Sequence, residues 1–413
     1  MRRRQAIGPA VIAAAVVVAL VVAFGPLSGG KPGASGPPGS SADVSPAPGQ
    51  GGTDDATSQT TTRPVPGHEL FGFVPYWEMN DGIADHLAKT PLTTLALFSV
   101  THTKTGKIDT GQQGYKRITG AIGQQLIKEA HDRGVAVQLV YSSFGTARNQ
   151  RFFGSATLPD ATIAALVALA DTTGVDGIDV DVEQLGDELI PAYGAFVGRL
   201  RDALRAKHPD AVVSVSTAAG RTGAAMAASA AQAGADRIFL MGYDYHYAGS
   251  EPGASAPMDR RDGAEADLPW SLDLYETLGV PVEKTVLGLP LYGMRWRVSG
   301  PEIGASRLGD GAIWVPADNP KFLASPPAPP EFDPIEVVNF YSVAPTVSPV
   351  PGDSRATAGW QAIYVDSPDT LRPKLGLADQ RGLAGAGFWA VGYERGLAGY
   401  RELMTDFTKG KLD

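Results

Sequence analysis

Eight residues from Asp176 to Glu183, Asp-Gly-Ile-Asp-Val-Asp-Val-Glu, constrain this chain more than any other stretch. Their apolar members read as a buried strand, and side chains on a strand alternate between its two faces. Asp179, Asp181 and Glu183 therefore share one face, with Ile178, Val180 and Val182 on the other. Carboxylates two residues apart on a strand are about 7 Å from one another, and each loses hydration when buried. Repulsion and desolvation both favour the neutral form, so at least one of the three is expected to hold its proton near neutral pH. A general acid needs such a proton, and Glu183, at the C-terminal end of the run, is best placed to meet solvent and substrate. A metal site and an acidic strand without chemistry are the alternatives at this point.

The rest of the chain shows what such a strand would sit in. From His68 onward, short β-branched runs alternate with longer helical patterns, as in repeated βα units around a parallel sheet. Eight strands are expected: Leu70–Tyr76, Thr94–Val100, Val135–Tyr141, Gly177–Glu183, Val212–Thr217, Arg237–Tyr243, Thr285–Leu291 and Ala386–Val391. Helical patterns lie between them, the first crossover, Gly82 to Lys89, being the shortest. This order predicts an α/β fold, a closed (β/α)8 TIM barrel over residues 68–408, with its site at the C-terminal ends of the strands. A doubly wound open sheet is the alternative, but no Gly-rich phosphate loop follows the first strand. Residues 292–363 break the rhythm with several prolines and two aromatic or β-branched runs, so a small subdomain inserted between strands 7 and 8 is expected to wall the cleft.

The first 67 residues read differently. After three arginines at positions 2 to 4, the run from Ala6 to Leu27 carries no charged side chain. Its length suits a membrane-spanning helix of about 17–25 residues better than the 7–15-residue core of a signal peptide. The expectation is a signal-anchor with the arginines in the cytoplasm and the barrel outside, or a secreted protein if the segment is cleaved. Residues 28–67 are rich in Gly, Pro, Ser and Thr and are expected to form a disordered linker. Such a coil spans roughly 35 Å, enough to lift a domain clear of a membrane.

Composition excludes several functions. The sequence holds no cysteine, so disulfides, thiolate catalysis and Cys-ligated zinc are ruled out. Forty-four acids against 35 bases leave a formal charge of −9, with no basic block beyond the first residues, so nucleic acid is not an expected partner. Of six histidines only His102 and His246 fall near strand ends, which argues against a three-ligand zinc centre. Parallel carboxylates on one strand do not surround a single ion, so no metal and no other cofactor is expected. There is no Gly-x-Ser-x-Gly elbow for a serine nucleophile.

The expected strand ends place aromatics beside acids: Tyr76, Trp77 and Glu78 after strand 1, Asp181 and Glu183 on strand 4, Met241, Tyr243 and Asp244 on strand 6, and Trp389 on strand 8. Pyranose rings present apolar faces that pack on Trp and Tyr while their hydroxyls seek carboxylates and amides, so these ends suggest a sugar site. Any one of the aromatics, Trp389 included, would ordinarily be core. Their convergence at four strand ends is what favours the sugar reading.

The run from Asp176 to Glu183 resembles the Asp-x-x-Asp-x-Asp-x-Glu motif of glycoside hydrolase family 18, the chitinase and endo-β-N-acetylglucosaminidase family. Met241-Gly242-Tyr243-Asp244 is similar to that family's Met-x-Tyr-Asp on strand 6, and Trp389 stands where its strand-8 tryptophan does. The family's Ser-x-Gly-Gly pattern on strand 3 is represented only by Ser142-Ser143-Phe144-Gly145. The resemblance implies a retaining hydrolase in which the substrate's own acetamido group is the nucleophile, so that no second carboxylate is needed in that role. It assigns Glu183 as acid and then base, Asp181 as the partner of the acetamido group, Asp179 as its proton-sharing neighbour, and Tyr243 as donor to the acetamido carbonyl. It implies substrate contacts from Asp244, Trp389, Tyr76, Trp77 and Met241, leaving Asp176, on the other face, as scaffold. The implied substrate is a β-1,4-linked N-acetylglucosamine glycan: chitin, peptidoglycan or an N-glycan. A lectin-like barrel that binds sugar without turnover is the alternative. The protein is expected to act as a monomer.

Overall fold

A computed structural model describes residues 68–345 and 359–412, so the expected N-terminal helix and linker lie outside the described residues. Seven parallel strands come first in the chain: β1 (Glu69–Pro75), β2 (Thr94–Val100), β3 (Ala136–Phe144), β4 (Gly177–Glu183), β5 (Val212–Ala218), β6 (Arg237–Met241) and β7 (Thr285–Pro290). Five antiparallel strands follow: β8 (Gly293–Val298), β9 (Ala312–Trp314), β10 (Glu331–Asp333), β11 (Val338–Val343) and β12 (Trp360–Val365). The chain then returns through β13 (Gly385–Trp389), which closes the barrel between β7 and β1. The small sheet runs in the order β10-β11-β12-β8-β9. The expected barrel with an insert between its seventh and eighth strands is therefore the fold.

Differences from the expected elements have local causes. Strand β3 runs on through Ser142, Ser143 and Phe144 because it pairs with β4 as far as Glu183. Strand β6 stops at Met241, since Gly242 turns the chain and Asp244 takes a positive φ of 61°. Two helices, Gln113–Thr119 and Thr146–Phe153, were not expected from the pattern, the second opening with polar residues and burying only Asn149, Phe152 and Phe153.

Register decides which side chains enter the barrel. Val140, Asp179 and Ser214 lie in one row across β3, β4 and β5, and Ser142, Asp181 and Ser216 in the next. Below and beside the acids the interior is apolar, built from Phe71, Phe73, Ala96, Phe98, Val140, Phe239 and Val286. Gly288 and Gly387 make room for the Phe239 ring: a Cβ would stand 2.5 Å from it at the first and 2.7 Å at the second. The outer faces of the strands pack against the helices in the main core, where Leu166, Phe196, Leu200 and Leu240 are fully buried. The acid row thus sits beside an apolar, largely aromatic cluster inside the barrel.

Candidate active site

Asp179 lies deepest in the row and is 1% exposed. Ser214 Oγ is 2.7 Å from its Oδ1, and Ser216 Oγ donates to its Oδ2 at 2.8 Å. Ser214 also contacts Gln138 Oε1. One hydroxyl hydrogen cannot serve two acceptors, whereas a neutral Asp179 satisfies both contacts by donating to Ser214, which then donates to Gln138. Burial pushes the Asp179 pKa up to about 6, against the opposing effect of the two serine hydrogen bonds.

Asp181 is 5% exposed, and its Oδ1 is buried without a hydrogen-bond partner in the protein. Burial raises its pKa well above the ordinary carboxylate value, with Glu183 and Asp179 adding repulsion. Glu183 ends the strand half-buried, and its pKa is pushed up to about 7, first by burial and then by the charge of Asp244. Its backbone is fixed by Asn149, which donates from Nδ2 to the Glu183 carbonyl at 2.6 Å and accepts from Ser143 Oγ at 2.7 Å. The row therefore holds protons in the neutral range, with the outermost acid facing the mouth.

The loop after β6 supplies the opposite side. Tyr243 is half-buried, and burial, with the nearby Asp181 and Asp244, pushes its phenol well up, so it remains a donor at working pH. Asp244 donates its N–H to Ser255 Oγ at 3.0 Å, and the Tyr292 hydroxyl donates to its Oδ1. Burial raises the Asp244 pKa despite the hydrogen bonds from Tyr292 and Ser255. Met241 is half-buried and packs on the interior aromatic cluster.

The remaining wall is aromatic. Trp389 meets Phe98 edge-on at 4.8 Å and Trp77 at 6.3 Å, and Tyr76 stands against Trp77 at 4.9 Å. Trp77 is 44% exposed and donates from Nε1 to the Tyr393 hydroxyl at 3.1 Å. Asp176 sits apart from the row, accepting from the Val137 N–H at 2.7 Å with His131 Nε2 at 2.8 Å. Of the two histidines near strand ends, His102 is buried against Tyr141, and desolvation aided by Arg148 and Arg151 lowers its pKa to about 3. His246 is buried against Glu336 of the insert. Among the described residues no group of three or more His, Cys, Asp or Glu side chains is placed to hold a metal ion.

Several of these participants were missed in the sequence. Ser214 and Ser216 carried a usable signal, polar residues alternating with Val213 and Val215 on the strand next to the acids. Asn149, Tyr292 and Ser255 carried none, because only tertiary folding brings them to the site.

The family model for glycosyl hydrolases family 18 matches residues 69–394. A putative sporulation-specific glycosylase, YdhD, of Bacillus subtilis is 26% identical over 170 residues, covering 38% of this chain and 36% of the relative. The chain spans about two fifths of the length of the first curated relatives it matches. Among solved structures, a class V chitinase from Nicotiana tobaccum in complex with NAG4 superposes with a TM-score of 0.70 at 16% identity, covering 82% of this chain and 99% of the other. A chitinase-like agglutinin from Robinia pseudoacacia gives 0.67 at 18% identity, with coverage of 82% and 99%. At those identities the two structures establish a common fold. With the family model running from the first barrel strand past the last, the chain belongs to glycosyl hydrolases family 18.

Proposed function

We propose that this protein is a retaining glycoside hydrolase that cleaves β-1,4-linked N-acetylglucosamine glycans, using the substrate's acetamido group as nucleophile. The observation that carries this reading is the proton arrangement along β4: a buried Asp179 pinned by two serines, an Asp181 with an unpartnered oxygen, and a Glu183 whose pKa of about 7 keeps a proton available at the mouth. Neutral Glu183 gives its proton to the glycosidic oxygen as the bond to the anomeric carbon breaks. The acetamido oxygen closes on that carbon, while Asp181 accepts from the acetamido N–H and stabilises the positive charge formed. The resulting Glu183 carboxylate then takes a proton from the water that opens the cyclic intermediate. Tyr243 donates to the acetamido oxygen before closure, Asp244 supports the same pocket, and Trp389 lies under the sugar, with Tyr76, Trp77 and Met241 lining the approach.

The same proposal extends to location. Residues 1–67 would tether the barrel outside the membrane through an apolar helix and a flexible linker, or release it if the helix is cleaved. A tethered enzyme of this kind favours polymers of the cell envelope over soluble glycans.

Mass spectrometry of products from chitin oligomers, peptidoglycan and glycoprotein, incubated in parallel, tests the reading and names the substrate. New reducing ends at N-acetylglucosamine in one arm support it. Affinity without product in every arm would favour a sugar-binding barrel, the reading that the fold shared with the Robinia agglutinin keeps in view.

A further inference from the structure

We infer that Glu336, contributed by the inserted sheet, is a positioning residue for the site: its buried carboxylate latches the loop that carries Tyr243 and Asp244. The inference rests on the hydrolase reading only for the consequence in turnover; the latch itself is geometry. Glu336 is 1% exposed and lies in the turn between β10 and β11. Its Oε2 accepts from the Ala254 N–H at 2.6 Å, and its Oε1 accepts from the Arg261 N–H at 3.3 Å. His246, also 1% exposed, meets the same Oε1 through Nε2 at 3.1 Å, with its Nδ1 2.8 Å from the Glu251 carbonyl. A ring nitrogen facing a carbonyl carries a hydrogen, so Nδ1 donates to the Glu251 carbonyl and leaves Nε2 facing Glu336. One carboxylate thus holds three points of the loop that runs from residue 246 to residue 261.

The link from this latch to the site is one residue long. Ala254 is followed by Ser255, whose Oγ receives the Asp244 N–H at 3.0 Å and lies 3.2 Å from the Tyr292 hydroxyl, while its carbonyl accepts from the Tyr245 N–H at 3.1 Å. Ser255 therefore fixes the backbone on both sides of the Asp244 α-carbon, and Glu336 fixes Ser255. A carboxylate with two or three buried partners is costly to disturb, because loss of any one leaves a donor unpaired.

The turn that presents Glu336 is itself held under strain. Val337 has φ of 56°, a region that β-branched residues almost never occupy. Asp333 maintains the turn: its carbonyl accepts from the Val337 N–H at 2.9 Å, and its Oδ1 from the Ile335 and Glu336 N–H groups at 2.9 and 3.3 Å. Arg261, from the latched loop, donates to both Asp333 carboxylate oxygens. A wall that only lined the cleft would need no such turn. Strain of this kind persists where the surroundings over-determine it, and here they aim one buried carboxylate into the neighbouring loop.

The test compares the full chain with Glu336→Gln, which keeps size and one acceptor oxygen, with Ser255→Ala, which removes the last link, and with the double variant. Hydrogen exchange by mass spectrometry reads the peptide 243–256 without reference to activity. A fluorogenic N-acetylglucosamine oligomer reads kcat, KM and their pH profile. The expected result is faster exchange at 243–256 but not in β4, kcat lowered about tenfold with KM little changed, and an alkaline limb moved to lower pH as Asp244 drifts from Glu183. The double variant should lose no more than the worse single one, since both act through one chain of contacts. Unchanged exchange at 243–256 in Glu336→Gln overturns the latch whatever the turnover, and so do additive losses. If Glu336→Gln does not fold, Ser255→Ala must by itself reproduce the fall in kcat and the shifted limb, and normal values there overturn the inference. A wild-type chain that cleaves no glycan, but whose 243–256 peptide is loosened by Glu336→Gln, upholds the latch and overturns the hydrolase reading.

Discussion

Phe144 stands in register with Glu183 on the neighbouring strand, so an aromatic ring and the outermost acid share the inward face at the barrel mouth. The Phe144 ring stacks on Phe98 at 6.3 Å with an interplanar angle of 21°, and Phe98 in turn meets Trp389. The position where the family pattern has a small residue therefore extends the aromatic wall toward the acid. Apolar surface beside a carboxyl disfavours its charged form. Phe144→Ala should let water reach Glu183 and lower its pKa from about 7. In the proposed mechanism Glu183 acts in its protonated form, so the alkaline limb of kcat against pH should move to lower pH, and turnover at pH 8 should fall more than at pH 5. An unshifted limb would show that Phe144 packs without tuning the acid. Loss of a half-buried phenyl should also cost about 2 kcal/mol of stability, measurable by urea unfolding.

Glu183→Gln removes the transferable proton but keeps shape and hydrogen-bonding capacity. Turnover of a fluorogenic N-acetylglucosamine oligomer should fall about 10²–10⁴-fold. Affinity for the unlabelled oligomer, read by calorimetry, should stay within a few-fold because the aromatic wall and Asp181 are untouched. Turnover within tenfold of wild type would remove Glu183 from the role of acid.

Much of this arrangement could be read in the chain, and the reasons it stopped where it did are physical. The acid row was legible because strand alternation is a local rule, and a charged residue between valines violates the usual composition of a buried strand. The barrel was legible because eight βα repeats leave few topologies. Phe144 could not be placed inward, since the expected third strand ended at Tyr141 and its last three residues are held by pairing with β4. The bond between His246 and Glu336 crosses 90 positions of sequence; His246 is marked only by its place near a strand end, and no local pattern marks Glu336. The inserted subdomain was expected as a wall, whereas its hold on the β6 loop is a property of tertiary contacts alone. The tether proposed for residues 1–67 still rests on the sequence, because those residues lie outside the described ones.

Asp179 makes the acid row a stability liability at higher pH. In the unfolded chain its proton leaves near the ordinary pKa of 3.8, but in the folded chain near 6. Between those values the folded state binds more protons, so the contribution to stability is full below about pH 4 and is lost as pH rises through about 6. A raise of two units corresponds to about 3 kcal/mol. Asp179→Asn, which stays neutral throughout, should therefore be more stable than wild type at pH 8 by up to that amount and converge with it at pH 4. Urea midpoints at pH 4, 6 and 8 measure the difference. A gap independent of pH would mean that Asp179 does not titrate in this range.

Trp77 gives separate readouts of binding and folding. The residue is 44% exposed, and its buried side meets Tyr76, Phe98 and Trp389 edge-on and donates to the Tyr393 hydroxyl at 3.1 Å. Trp77→Ala should cost about 2 kcal/mol of stability, as loss of a half-buried aromatic side chain does, at every substrate length alike. If the exposed face stacks on a sugar, the same change removes an aromatic contact worth about 1–2 kcal/mol, or roughly a tenfold rise in KM for an oligomer long enough to reach it. A shorter substrate that ends before Trp77 should be indifferent. Comparing KM for di-, tri- and tetrasaccharide substrates in wild type and variant locates the ring along the bound chain: the length at which the two diverge is the length at which the sugar first touches Trp77. Equal KM at every length would take Trp77 out of the cleft and leave Tyr76 and Trp389 as its aromatic lining.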